Sequence, residues 1–163
     1  MYTLQRTGIG QSSRRFLPEG SSKPCMIGGI IFEDVQGFDA DSDGDVIYQA
    51  ICNSITSLTG VPILTGIALE LIHMDGYTDS QVYLEHALAT LGKQKVVHVA
   101  LTLEGKKPRF KDQINLMREK IAQVMGLSID QVGISTTLGD GLTDFGCGDG
   151  VQCFAMLSTI QEP

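Results

Sequence analysis

The sequence predicts one α/β (α+β) domain, a mixed β-sheet with helices packed on one face. Three observations lead there. Apolar residues recur at helical spacing in Ile47, Ile51, Ile55 and Leu58, and again in Phe110, Ile114, Met117, Ile121 and Val124. Runs of strand length rich in β-branched residues occupy 95–103, 132–137 and 151–159. The chain of 163 residues is long enough to bury about two thirds of its unfolded surface in one core, so the expected domain is 1–163.

Taken in order, residues 2–9 read as a short opening strand that ends near Gly8 and Gly10. The polar stretch 11–24, with Pro18, Gly20 and Pro24, reads as loop. Residues 26–32 are two short apolar runs joined by Gly28-Gly29, a hairpin signal. An acidic loop, 39–45, precedes the first helix, with Asp43 or Ser42 as its cap and Gly60-Val61-Pro62 as its stop. A shorter helix is expected over 62–72. Thr78-x-x-Gln81 reads as a capping box for a helix that stops at Gly92. The strand 95–103 follows, then the amphipathic helix from Phe110 to Gly126. The last two strands flank a cluster in which Gly139, Gly141, Gly146, Gly148 and Gly150 crowd together.

Composition excludes several classes. With 42% hydrophobic and 19% charged residues the chain is neither disordered nor a coiled coil. Nineteen glycines exceed the roughly eleven that an average usage of about 7% would give. Twelve Lys and Arg against nineteen Asp and Glu leave a net charge of −7, which argues against nucleic acid as partner. No run reaches the ~18–20 apolar residues of a membrane span, and no secretory signal is visible, so a cytoplasmic protein is expected. Cys25, Cys52, Cys147 and Cys153 show no CxxC spacing and are expected as reduced thiols.

Asp39-x-Asp41-x-Asp43-Gly44 matches the opening of a calcium loop. Its twelfth position, which normally supplies a bidentate Glu, is Ala50, and no helix enters it. Helix capping and solvation are the competing explanation of this acidity. His73, His86 and His98 have no metal spacing and are expected at structural or surface positions. Lys106-Lys107-Pro108-Arg109-Phe110 is the densest basic stretch, between a strand and a helix, and reads either as a phosphate or nucleotide loop or as a solvated turn. Ser135-Thr136-Thr137 ends a strand and offers hydroxyls beside the glycine loop.

Gly8-x-Gly10, Ile27-Gly28-Gly29, Ser42-Asp43-Gly44-Asp45, Pro108-Arg109-Phe110 with Met117-Arg118, Thr136-Thr137 and Gly146-x-Gly148-Asp149-Gly150 occur in one order. Together they resemble the 2-C-methyl-D-erythritol 2,4-cyclodiphosphate synthase family of the non-mevalonate isoprenoid pathway, over about residues 6 to 160. The resemblance implies a homotrimer with active sites at subunit interfaces. In that family zinc polarises the β-phosphate of a cytidine-diphosphate-linked methylerythritol phosphate, and a second divalent cation, magnesium or manganese, bridges the diphosphate. The 2-phosphate attacks, closes the cyclic diphosphate and expels CMP.

Carried over by position, the resemblance assigns Ser42, Arg14 and Asp41 to the substrate phosphates, with Asp41 standing where the family has a histidine. Pro108, Arg109, Phe110, Ser135 and Thr136 fall at the cytidine nucleotide, Arg109 replacing a lysine. Thr137 and Asp140 fall at the reacting diphosphate, Asp140 as the acidic ligand of the second cation. The early glycines are expected at turns beside a phosphate pocket, and the late cluster near a threefold axis, where Cys147 replaces a family arginine. The three zinc-ligand positions are Ser12, Arg14 and Gln49. A hydroxyl, a guanidinium and a carboxamide do not make a zinc site, so no metal ligand is assigned and zinc is expected to be absent. Two functional expectations follow: cyclisation with Arg14 supplying the positive charge that zinc would give, with zinc-dependent activity weak or lost, or a non-catalytic trimeric protein that binds a cytidine nucleotide or phosphate.

Overall fold

The structure, a computed structural model, describes residues 3–163. Its sheet has four strands in the order β1 (Leu4–Arg15), β6 (Gly150–Gln161), β4 (Lys95–Glu104) and β5 (Val132–Thr137). β6 runs antiparallel to both β1 and β4, and β4 runs parallel to β5, so the sheet is mixed, as expected. A separate hairpin pairs β2 (Cys25–Ile27) with β3 (Ile30–Phe32) through Gly28 and Gly29, both at positive φ.

β1 departs from the expected short strand. It continues to Arg15, through residues read from the sequence as loop, while Tyr2 of the expected strand lies outside the described residues. The cause is the helix above it. A Cβ on Gly8 would lie 2.3 Å from the Ser54 carbonyl oxygen, and one on Gly10 would lie 2.2 Å from that of Ala50. These glycines therefore stand in extended backbone, not in turns, and let helix α1 (Val46–Thr59) lie directly on the strand.

Ile47, Ile51 and Ile55 of α1 share one buried core with Val99, Leu101 and Leu103 of β4 and Val151, Cys153, Ala155 and Leu157 of β6, all at most 3% exposed. Each of the Val, Leu and Ile side chains contributes about 1.5–3 kcal/mol by leaving water. α2 (Ile63–Asp75) carries π-helical turns at both ends and reaches beyond the expected 62–72. α3 (Ser80–Ala89) is capped by Asp79, whose carboxylate accepts from the Gln81 amide; the Thr78 capping box is not formed, and the Gln81 side chain bonds Glu85 instead. α4 (Ile114–Met125) starts later than expected, because Phe110 is buried edge-on against Phe32 ahead of it, and Gly126 closes it in the left-handed region. The glycine cluster holds a short helix, α5 (Asp144–Cys147), capped by Thr143.

The other face of the sheet is uncovered. Ile9, Phe154 and Met156 are 58%, 42% and 48% exposed there, around a depression of about 240 Å³. No single helix is long and apolar enough to cross a membrane among the described residues.

Candidate anion site

Strand alternation turns Ser12 and Arg14 toward α1, where Gln49 is 1% exposed. The Arg14 guanidinium donates to Gln49 Oε1 twice, from Nη2 at 2.8 Å and from Nε at 3.2 Å, and Ser12 Oγ donates to the same oxygen at 3.5 Å. Gln49 Nε2 donates to Ser42 Oγ at 2.9 Å and to Ser80 Oγ at 3.1 Å. The Ser80 hydroxyl donates in turn to the Asp43 carboxylate, which also accepts from the Ser80 amide at 3.0 Å. Arg14, Asp41, Ser42 and Gln49 line one cavity of about 210 Å³, walled by Leu64, Ala68, Leu69 and Ile72 of α2.

The loop that carries Ser42 is held by residues the motif reading missed. Lys23 Nζ donates to the carbonyls of Phe38, Ala40 and Ser42 at 2.9, 2.7 and 2.7 Å, using all three of its protons. Burial lowers its pKa, against the nearby Asp43, Asp39 and Asp41 carboxylates, which raise it. This ammonium sits where the loop carbonyls converge, and Asp45 is turned inward, so the calcium-loop reading fails on geometry as well as on spacing. Asp45, not Asp43 or Ser42, caps α1, accepting from the Ile47 and Tyr48 amides. It also accepts from Gly28 and Gly29 at 2.9 and 2.8 Å, which ties the hairpin turn to the helix. Burial, reinforced by Asp43, pushes the Asp45 carboxyl up to about 6, against the backbone donors. Asp43 was displaced from the cap because its carboxylate serves Ser80 and the Asp45 amide. Neither Lys23 nor Ser80 carries a sequence signal: their partners are carbonyls and side chains brought up by the fold.

The zinc of the resemblance does not fit these donors. The carbonyl oxygen of Gln49 is filled by a guanidinium, its nitrogen is committed to two hydroxyls, and Arg14 repels a dication. Among the described residues no three His, Cys, Asp or Glu side chains gather as a metal site, and His73, His86 and His98 are exposed on three different elements.

The residues assigned to the nucleotide stand elsewhere. Arg109 is exposed beside Asp112 at 3.8 Å, and its amide donates to Asp34 at 3.3 Å. Pro108 and Phe110 are buried, so Phe110 offers a nucleotide main chain only. Ser135, Thr136 and Thr137 are exposed at the end of β5. Asp140 is exposed at φ 49, between Gly139 and Gly141, both also at positive φ. Across the sheet Arg14 stands opposite Val151, Gln152 opposite Glu104, and Glu104 opposite Thr137. Three strand spacings of about 4.8 Å therefore put β1 and β5 about 14 Å apart. One chain brings Arg14, Ser42, Asp41, Ser12 and Gln49 together, and leaves Ser135, Thr136 and Thr137 of β5 three strands away from Arg14.

A mixed four-stranded sheet covered by helices on one face, with a hydroxyl- and guanidinium-lined cavity at the end of β1, defines the chain as an α/β domain of mixed-sheet class. Residues 5–160 match the YgbB family. The 2-C-methyl-D-erythritol 2,4-cyclodiphosphate synthase of Chlamydia felis (strain Fe/C-56) is 50% identical over 97% of this chain and 90% of its own length. That of Chlamydia trachomatis serovar D is 51% identical over 98% of this chain and 89% of its own. Among solved structures, the IspF–CDP complex of Plasmodium falciparum superposes with a TM-score of 0.83 at 21% identity, over all of both chains. The bifunctional IspDF of Campylobacter jejuni superposes at 0.87 and 18% identity, over 99% of this chain and 43% of that one. The chain belongs to the YgbB family, that of the 2-C-methyl-D-erythritol 2,4-cyclodiphosphate synthases.

Proposed function

We propose that this chain takes the cytidine-diphosphate-linked methylerythritol 2-phosphate of its relatives and closes it to the cyclic diphosphate with release of CMP. It works as a homotrimer whose sites lie between subunits, and without a zinc centre. The observation that carries this reading is the division of the site across the sheet. Arg14 and Ser42 stand at one edge and Thr137 at the other, about three strand spacings away. A neighbouring copy supplies what one chain holds apart. The uncovered apolar face with Ile9, Phe154 and Met156 supports the same assembly, since it is continuous with Ser135 through Thr102.

In this arrangement Arg14 and Ser42 bind and orient phosphate oxygens, and Arg109, the Pro108–Phe110 main chain, Ser135 and Thr136 hold the nucleotide. Thr137 contacts the diphosphate. The exposed Asp140 fits a divalent cation, which needs only one or two carboxylates besides substrate phosphates and would lower the charge of the diphosphate. The 2-phosphate oxygen bonds to the β-phosphorus as the β-phosphorus bond to the CMP oxygen breaks. Holding two mutually repelling anions in line is what the site contributes.

A CMP-release assay in magnesium buffer tests it. Slow CMP release unaffected by a zinc-selective chelator is expected. No release contradicts the synthase reading, and release that the chelator abolishes contradicts the zinc-free one. Sedimentation analysis is expected to give three copies per particle, with Ile9→Glu shifting the protein toward monomer.

A further inference from the structure

Arg14 is a half-buried guanidinium without an ion-pair partner. No carboxylate lies within 4.0 Å of it among the described residues, although the chain as a whole is acidic. Of its five N–H donors, two are spent on Gln49 Oε1, so three remain for the cavity that Arg14 lines. Ser42 Oγ accepts from Gln49 Nε2 at 2.9 Å and from the Gly44 amide at 3.2 Å, and so keeps its own proton free to donate into the same cavity. Up to four donors thus remain unspent on two residues that line one space of about 210 Å³, enough for a phosphate group.

We propose that this cavity is a metal-free phosphate site in which Arg14 replaces the zinc centre and Gln49 is its positioning residue. The proposal rests on the reading above for its substrate class, and names how the phosphate of that substrate is held. Gln49 fixes the guanidinium from behind through one carbonyl oxygen, which leaves the outer edge of the fork toward the ligand. Its own orientation is set by Ser42 and Ser80, and Ser80 is set by Asp43. This relay decides which end of the amide faces Arg14: a reversed amide would present donors to a donor. Arg is suited to the task, since its planar fork bonds phosphate oxygens in pairs and keeps its charge at every working pH. Asp41 lines the same cavity and opposes an anion, so it limits affinity.

Calorimetric titration of the full-length protein with inorganic pyrophosphate, and separately with CDP, tests the assignment. The expected result is binding of both that a zinc-selective chelator leaves unchanged. Arg14→Gln lowers pyrophosphate affinity about 10- to 100-fold, as loss of charge-assisted hydrogen bonds does. Arg14→Lys recovers part of the loss. Gln49→Glu, which pairs the guanidinium internally, lowers affinity as Arg14→Gln does, whereas Asp41→Asn raises affinity. Ser12→Asp, Arg14→His and Gln49→His combined make pyrophosphate binding zinc-dependent. Equal pyrophosphate affinity in wild type and Arg14→Gln, or loss of wild-type binding in the chelator, overturns the proposal. Pyrophosphate binding that depends on Arg14, with no binding of CDP, leaves the phosphate site standing and overturns the nucleotide reading instead.

Discussion

Around Arg14 every polar atom of the Gln49 side chain is committed inside the chain, and the loop above is fastened by Lys23 and Asp45. At the far edge of the sheet Ser135, Thr136 and Thr137 are exposed, and the Thr137 hydroxyl has one internal bond, from the Gly139 amide at 3.3 Å. The first region is organised by its own fold before any ligand arrives. The second offers exposed hydroxyls with little internal hydrogen bonding. Side chains that are already paired lose little freedom on binding, whereas exposed ones must be ordered by the ligand or by a neighbouring subunit. The difference predicts that mutations in the two regions act on different observables.

The largest effect is expected at Asp45. Asp45→Ala removes the α1 cap and strands the Gly28 and Gly29 amides, at a cost of about 3 kcal/mol in denaturant unfolding. Phosphate affinity should fall with it, because Ser42 sits on the loop that Asp45 ends. Lys23→Met releases three carbonyls, and water can reach part of what is freed. A loss of about 1–3 kcal/mol is expected, together with weaker pyrophosphate binding. A smaller, pH-dependent part of the Asp45 contribution has a definite sign. Its carboxyl is raised from 3.8 to about 6 in the folded chain, so the folded state holds this proton more tightly than the unfolded state. The linked stabilisation is complete below about 3.8 and is lost as pH rises through about 6. Unfolding of wild type and Asp45→Ala across that range should show the wild-type advantage shrinking as pH rises.

The smallest stability effects belong to the exposed region. Arg109→Ala and Thr136→Ala should move stability by no more than about 0.5 kcal/mol, since Arg109 is 85% exposed and Thr136 is exposed. Both should weaken CDP binding and leave pyrophosphate binding unchanged. Substantial unfolding of either variant, or equal losses for the two ligands, breaks the contrast between the regions.

Much of the architecture could be read from the residues. The periodic helices α1 and α4, the β-branched strands and the Gly28-Gly29 hairpin were legible because their signals are local. The full length of β1 is not legible because Gly8, Gly10 and the polar residues after them look like loop, and only the close approach of α1 explains the two glycines. The sequence points to Asp43 or Ser42 as the cap of α1 and not to Asp45, since the choice depends on the hairpin amides and on Ser80, both distant in sequence. That Ser12, Arg14 and Gln49 are poor zinc donors is legible, because it follows from residue chemistry alone. What occupies their place was only partly so: Arg14 was in view, while the amide that holds it and the relay through Ser80 exist only in the folded chain.

The zinc content of the full-length protein, after dialysis against zinc and then against metal-free buffer, bears most directly on the central claim that a guanidinium has replaced the metal. Well under one zinc per chain is predicted, with pyrophosphate binding intact in the same sample. One tightly held zinc per chain would contradict the account.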